Sequence, residues 1–311
     1  MKKYFKKKSV AIVVALFCMF LWGSAFPVLK LSYQELGIAA SDYVSKIYLA
    51  GLRFFTAGIV VSVYYFLFTK DKKQKVDFKF LIFLGLIQTT IQYLFFYIGV
   101  GNTTGVKSAI LQSSSTFFIV LLSHYLYQGD RLTKRKVLAL IFGFGGILVA
   151  NLTQGFDLNF SFQGEGFLLI AALANSFGTV YVKSKGGKMN PFMITMGQMF
   201  IGSLFLILPG KILMEGSFQW TGYAIGLFIY SAFLSGTAFS LWYELLKYHP
   251  SGELSIYNLF VPIFGSFLSL IILPEESLSL HLLVGLVLVC IGMVILNWKP
   301  KEVHYEKNEN R

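Results

Sequence analysis

Charge is scarce in this chain: only 14% of its 311 residues are Asp, Glu, Lys or Arg. A soluble domain carries about a quarter. With 55% hydrophobic residues there is more apolar side chain than a soluble interior can hide, so most of the surface must face lipid. Cysteine is rarer still. Cys18 and Cys290 both lie inside apolar blocks, which argues against a disulfide framework or a thiolate metal site and makes both packing residues. Acidic residues number 15 against 27 basic ones, a net +12. No segment is long enough for a soluble module with a basic, aromatic-interleaved face, which argues against a nucleic-acid partner. Gly-x-Ser-x-Gly is missing, and no His/Cys/carboxylate cluster has metal-ligand spacing. Gly101–Ser108, GNTTGVKS, has some features of a phosphate loop, but Val106 separates Gly105 from Lys107 and no strand precedes it. It is expected to be a turn. No catalytic residue, metal or cofactor is therefore expected, and the chain is not expected to be an enzyme.

What the chain has is apolar blocks. The basic N-terminus, MKKYFKKKSV, imitates a signal peptide, but the block Val10–Leu29 is about 20 residues, a full span, and no Ala-x-Ala follows it. It is expected to be a retained first span. Nine further blocks follow: Lys46–Phe68, Phe78–Gly99, Gly105–Tyr127, Arg135–Asn151, Gly164–Val182, Phe192–Lys211, Thr221–Leu246, Ser251–Leu273 and Ser279–Trp298. The fold class expected is an all-α membrane protein with ten transmembrane helices. The longest connection, Lys30–Ser45, has room for a short amphipathic helix. Basic residues set the topology. With the N-terminus inside, cytoplasmic segments collect Lys2 to Lys8, Lys70 to Lys79, Arg131 to Lys136, Lys183 to Lys188, Lys247 and Lys299 to Arg311. Lys30, Lys46, Arg53, Lys107 and Lys211 remain for the outer side or the membrane. Both termini are expected in the cytoplasm.

One block stands out. In Ser251–Glu276, Ser251, Ser255, Asn258, Pro262, Gly265 and Ser269 recur at steps of three or four, which places them on one helical face. A span that reserves a face for small, polar and helix-breaking residues turns it away from lipid. The same arrangement occurs 146 positions earlier, in Gly105–Asp130. Gln112 matches Asn258, Ser123 matches Ser269 and Asp130 matches Glu276. The register holds without a gap between Gln88–Asn151 and Leu234–Asn297, with Tyr97/Tyr243, Gly146/Gly292 and Asn151/Asn297 among the identities. Five helices is an odd number, so a second copy enters the membrane inverted. The chain thus divides into 1–151, a five-helix repeat with a basic cytoplasmic N-terminus, and 152–311, a second repeat with a cytoplasmic tail. Inverted repeats suit alternating access, with a site at the midplane between the halves.

Trp22-Gly23-Ser24-Ala25-Phe26 with Lys30 resembles the first-helix signature of EamA-type members of the drug/metabolite transporter superfamily, and Arg53-Phe54 resembles that family's Arg-Phe pair. Gly129-Asp130-Arg131-Leu132-Thr133 with Gly145-Gly146, and Glu275-Glu276-Ser277-Leu278-Ser279 with Gly292, are similar to its two repeat endings. The likeness covers nearly the whole chain. It implies ten helices in two inverted repeats and passage of a small metabolite, often outward. Two residues depart from the pattern. Thr116 stands where the first repeat usually has the proline kept at Pro262, which makes Pro262 the likelier hinge, and Asp130 replaces a usual Glu.

Candidate substrate contacts follow from polar side chains inside spans. Gln112 and Asn258 are favoured because amides are costly to bury and offer both donors and acceptors. Gln88 and Gln92 at i and i+4 of the third span with Tyr97 beside them, Ser240 and Tyr243 on the eighth, Trp22 on the first, Asn175 on the sixth and Ser255 on the ninth complete the set. For Ser255 and Pro262, interhelical packing is the competing role. Arg53, about seven residues into the second span, either binds an anionic group or ties the helix to carbonyls and snorkels outward. Lys107 and Glu253, in matching repeat positions, are either gates on opposite faces or solvated helix ends. The reading is a secondary transporter, an exporter or exchanger of a small metabolite such as an amino acid, in the cell membrane. The expected partners are a small-molecule substrate and the lipid bilayer. A translocator of an amphiphile or lipid, or a membrane-embedded enzyme, is the alternative.

Overall fold

A computed structural model describes residues 5–69, 75–126, 132–151, 160–273 and 280–297. Asp130, Glu275 and Glu276 and the start of the second repeat at 152 fall outside these, as does the side chain of Glu253. Among the described residues every regular element is a helix: α1 (Lys8–Glu35), α2 (Tyr43–Phe68), α3 (Phe78–Gly101), α4 (Gly105–Gln112), α5 (Ser115–Leu126), α6 (Lys134–Asn151), α7 (Phe162–Lys185), α8 (Pro191–Leu213), α9 (Gly222–Tyr248), α10 (Ser251–Ser255), α11 (Ile256–Ile272) and α12 (Leu280–Asn297). Six of them, α1, α2, α3, α7, α8 and α9, are long and apolar enough to cross a membrane, and α5, α11 and the Leu283–Gly292 part of α12 are shorter apolar helices.

The helices begin where the sequence supplies caps. Asp42 accepts from Ser45 N at 2.9 Å, Asp77 from Phe80 N at 3.0 Å, and Thr221 accepts from Ala224 N at 3.0 Å. Asn190 caps α8 just ahead of Pro191, whose missing N–H costs nothing in the first turn. The Asp42 cap starts α2 at Tyr43, ahead of the Lys46 start expected from hydropathy. The connection before it holds no separate amphipathic helix. Instead α1 continues to Glu35, and the chain reverses at Gly37, whose φ of 70° favours glycine.

α1 packs on α9 and α11, while α7 packs on α3 and α5; α2 pairs with α8, α4 with α11, α5 with α10, and α6 with α12. The α6–α12 pair is antiparallel and close. A Cβ on Gly146 would lie 3.0 Å from Val289 N, and one on Gly292 would lie 2.8 Å from Ala139 O. Without a hydrophobic drive between helices in lipid, such small-residue contacts let dispersion hold them together. The outward faces of α2, α6 and α12 carry exposed Ile59, Val63, Ile141, Leu148, Val287 and Val294, as a lipid-facing surface requires.

The ends of the bundle are tied by specific bonds. At one end the Lys107 ammonium pairs with Glu165, which also accepts from Thr103 Oγ1 at 3.2 Å and Ser161 N at 3.0 Å. At the other, Lys183 Nζ donates to Leu246 O at 2.7 Å and His249 O at 2.9 Å, and Ser123 and Ser251 share a 3.1 Å hydrogen bond.

Candidate functional site

Three departures from regular α-helix mark the middle of the bundle. Gly85–Ile91 of α3 is wound as a π-helix, a form frequent at functional sites. Between α4 and α5 the helix breaks at Ser113–Ser114, where Ser114 Oγ turns back onto Leu111 O at 2.7 Å and offers the backbone an alternative to the helical ladder. At Ile256–Leu259 the chain tightens to a 3₁₀ turn just before Pro262, which has no N–H for the carbonyl of Asn258, four residues back. Gln112 and Asn258 sit at these two breaks. Thr116, the position matching Pro262, donates its hydroxyl to Ser255 O at 3.1 Å, so the first half breaks through serines where the second breaks ahead of proline. The interruption is present in both halves, through the serines after Gln112 in the first and ahead of Pro262 in the second.

The breaks open a cavity of about 70 Å³ lined by Trp22, Ala25 and Phe26 of α1, Arg53 of α2, Gln92, Tyr93 and Phe96 of α3, Gln112, Ser113 and Ser115, Asn175 of α7, Phe239 of α9, and Asn258 and Val261. That is room for a handful of waters or the polar head of a small ligand. Its floor is an amide network. Gln88, fully buried, donates from Nε2 to Gln92 Oε1 at 3.0 Å and to Asn175 Oδ1 at 2.7 Å. Those bonds use the oxygens of Gln92 and Asn175 and leave their NH₂ groups as donors available to a ligand. The Gln88 Oε1 atom presses on Gly178 of α7, where even one methyl group would collide with it.

Arg53 forms another wall. It lies ten residues into α2, ~15 Å from the helix start at 1.5 Å per residue, deeper than expected because α2 begins earlier. Only 4% exposed, it donates from Nε to Ser231 O at 3.1 Å, from Nη1 to the Tyr97 hydroxyl at 3.0 Å and from Nη2 to Ser235 Oγ at 2.8 Å. Tyr97 is held in turn by Tyr33, whose hydroxyl donates to Tyr97 O at 2.8 Å. Opposite sign and unmet capacity appear at the two breaks: Gln112 Oε1 and Asn258 Oδ1 are buried and find no hydrogen-bond partner among the described residues.

Of the residues singled out from sequence, Trp22, Gln92, Gln112, Asn175, Asn258 and Arg53 therefore meet in one cavity, with Gln88 bridging two of them from behind. Tyr97 stands behind Arg53 rather than on the cavity wall. Ser240 and Tyr243 are buried outside the cavity. Tyr243 lies against Gln198, with neither finding ordinary hydrogen-bond geometry, and Ser240 Oγ is likewise unpartnered among the described residues. Ser255 turns its hydroxyl onto Gly252 O at 2.9 Å, and Pro262 occupies the first turn of the α-helical part of α11. Lys107 is an end group, paired with Glu165, which the sequence reading passed over. Also passed over were Phe26, Phe96 and Phe239, aromatics among many in apolar spans with no periodic signal to mark them. Ser113 and Ser115 adjoin Gln112 in a serine run that could have been read as a break.

The profile of the EamA-like transporter family matches residues 9–152 and 162–298. The uncharacterized transporter YvbV of Bacillus subtilis is 26% identical over 302 residues, covering 96% of this chain and 95% of that protein. An uncharacterized transporter of Archaeoglobus fulgidus is 28% identical over 289 residues, covering 92% and 97%. A WAT1-related chloroplastic protein of Arabidopsis thaliana is 24% identical and covers 90% of this chain and 67% of its own length. A solved crystal structure superposes with a TM-score of 0.73 at 17% identity over 94% of this chain and 98% of its own, which establishes the shared fold. With the family matched in both halves and transporters among the relatives, this multi-span membrane protein belongs to the EamA-like transporter family.

Proposed function

We propose that the protein is a secondary transporter, an exporter or exchanger of a small metabolite such as an amino acid, working by alternating access in the cell membrane. The observation that carries this reading is the pairing of the two broken helices. Gln112 and Asn258, 146 residues apart, each lie at a break in a helix, line the same cavity and carry a buried oxygen with no partner among the described residues. Discontinuous helices with exposed polar groups at the midplane are how a carrier holds a solute in lipid.

The packing pattern supports ten spans arranged as two inverted five-helix repeats, 1–151 and 152–311. Exchanging the halves turns the α1 contacts with α9 and α11 into the α7 contacts with α3 and α5, turns the α4–α11 pair into the α10–α5 pair, and leaves the α2–α8 and α6–α12 pairs in place. The basic residues described at the Lys183 end of the bundle favour that end, and with it both termini, as cytoplasmic. In this reading Trp22, Gln88, Gln92, Gln112, Asn175 and Asn258 handle the substrate. Tyr97, Ser240, Tyr243 and Ser255 support the cavity from behind, and Lys107 with Glu165 forms a gate at one end.

Reconstituted vesicles loaded with labelled amino acids test the reading, with labelled phospholipid as a parallel arm. Counterflow competed by unlabelled amino acid supports it. Lipid scrambling without amino-acid flux favours the amphiphile translocator, and neither activity removes the substrate assignment.

A further inference from the structure

We infer that Arg53 reads the charge of the cargo: its guanidinium receives a carboxylate, and the unpartnered oxygens of Gln112 and Asn258 accept from an ammonium or N–H group on the same molecule. The inference rests on the reading of the cavity as the transport site and narrows its substrate to small carboxylates that also carry an N–H donor.

A cation buried among membrane spans is costly and persists where something offsets it. Arg53 is buried, and among the described residues it has no carboxylate partner; its three bonds go to a backbone carbonyl, a phenol and a serine hydroxyl, all neutral. A tie between α2 and α9 alone would need donors but no charge, and a neutral amide side chain supplies donors at far lower cost. The charge itself meets the Phe54 and Tyr97 rings, 5.4 and 5.9 Å from Cζ to the ring centres, contacts that offset part of its burial cost and leave it without an anion among the described residues. Guanidinium has five N–H donors, and these bonds occupy three, one on each nitrogen. The two left over belong to the two terminal nitrogens, the pair that a carboxylate engages in parallel bonds. Arg53 borders the cavity, so an anion arriving there completes the ion pair that the fold leaves open.

The second half of the recognition lies at the helix breaks. Burying an amide oxygen without a partner carries a desolvation penalty, and Gln112 and Asn258, both lining the cavity, each hold one such oxygen that a donor on a ligand would satisfy. A cation at one wall and bare acceptors at another fit the two ends of a zwitterion. Trp22, Phe26 and Phe239 between them offer an apolar surround for the rest of the molecule.

The test measures thermal stabilisation of the purified, detergent-solubilised full chain by the proteinogenic L-amino acids, their carboxamides and the corresponding decarboxylated amines. In the wild type at least one acid stabilises, while its carboxamide and amine do so only at concentrations about thirtyfold higher or more. Arg53→Gln abolishes the preference for acid over carboxamide, and Arg53→Lys keeps it in weakened form. Because Arg53→Gln also loosens α2 from α9, a Tyr97→Phe/Ser235→Ala double variant serves as a second probe. It removes two neutral partners but keeps the charge, and it retains the acid preference. Carboxamides binding as well as acids, an acid preference that survives in Arg53→Gln, its loss in the double variant, or an absence of stabilisation by every acid would each overturn the inference. Vesicle flux separates it from the broader reading. Acid-selective binding without flux sinks transport and leaves the carboxylate site, whereas flux of a carboxylate-free cargo sinks the site and leaves transport.

Discussion

Gly178→Ala is the perturbation whose sign the structure reverses. In an exposed helix the change is favourable by about 0.8–1 kcal/mol, because alanine restricts the unfolded backbone. Here the new methyl group falls onto Gln88 Oε1, with Gln88 Cβ only 3.1 Å away. Gln88 is fully buried, and making room for the methyl group means swinging its amide away. Its displacement breaks the bonds to Gln92 at 3.0 Å and Asn175 at 2.7 Å. At about 0.6–1.5 kcal/mol each, these bonds are worth roughly 1–3 kcal/mol. Overpacking adds about 1–3 kcal/mol. After the propensity gain is subtracted, the net loss is on the order of 1–5 kcal/mol. Gly145→Ala is the control, since a Cβ there meets nothing within 4 Å. Thermal unfolding of both variants in detergent, alongside vesicle flux, reads the difference: Gly178→Ala falls in stability and loses flux, while Gly145→Ala holds or gains. Adding Gln88→Ala to Gly178→Ala relieves the clash but not the lost bonds, so the double variant is more stable than the sum of the two single losses predicts, while flux does not return. Equal stability and equal flux in the two glycine variants would mean that the amide floor is not organised as described.

Gln112→Leu and Asn258→Leu each remove an unpartnered buried oxygen at nearly constant volume. Membrane insertion is expected to be intact and stability unchanged or higher by about 1 kcal/mol, with flux abolished; normal flux in both would reduce the stripe to packing. Lys107→Ala leaves Glu165 with Thr103 and the Ser161 N–H as partners, so the expected stability loss is only about 1 kcal/mol, while flux kinetics change. The exchanged pair Lys107→Glu/Glu165→Lys recovers the wild-type kinetics if the ion pair itself is the gate, and failure of that recovery argues against it.

Much of this molecule can be read in its sequence because lipid allows few solutions. The α-helical spans follow from hydropathy, and the polar face of Ser251–Glu276 marks a helix turned inward because lipid tolerates no such face. Gln112 and Asn258 were legible as a pair through their common register. Depth and partnership were not. Arg53 sits deeper than hydropathy placed it because a cap at Asp42 starts the helix early. Nothing in the sequence pairs Lys107 with Glu165, 58 positions apart across two helix ends. The π turn around Gln88 leaves no trace in the sequence, since one extra residue per turn over the seven positions GLIQTTI is too short a run to shift a hydrophobic period. Tyr97 and Tyr243 match in register yet stand behind the cavity, because helical periodicity fixes a face and not which neighbour that face meets.

A single cysteine at Ser113, with Cys18 and Cys290 replaced, probes whether one cavity serves both sides of the membrane. A membrane-impermeant thiol reagent is applied to either face of sealed vesicles, before and after the Lys107 and Glu165 ends are locked together by a disulfide between cysteines at those two positions. Alternating access requires labelling from both faces in the unlocked protein and only from the face opposite the lock once it closes. Labelling from one face alone in the unlocked state, or from both after locking, would contradict it.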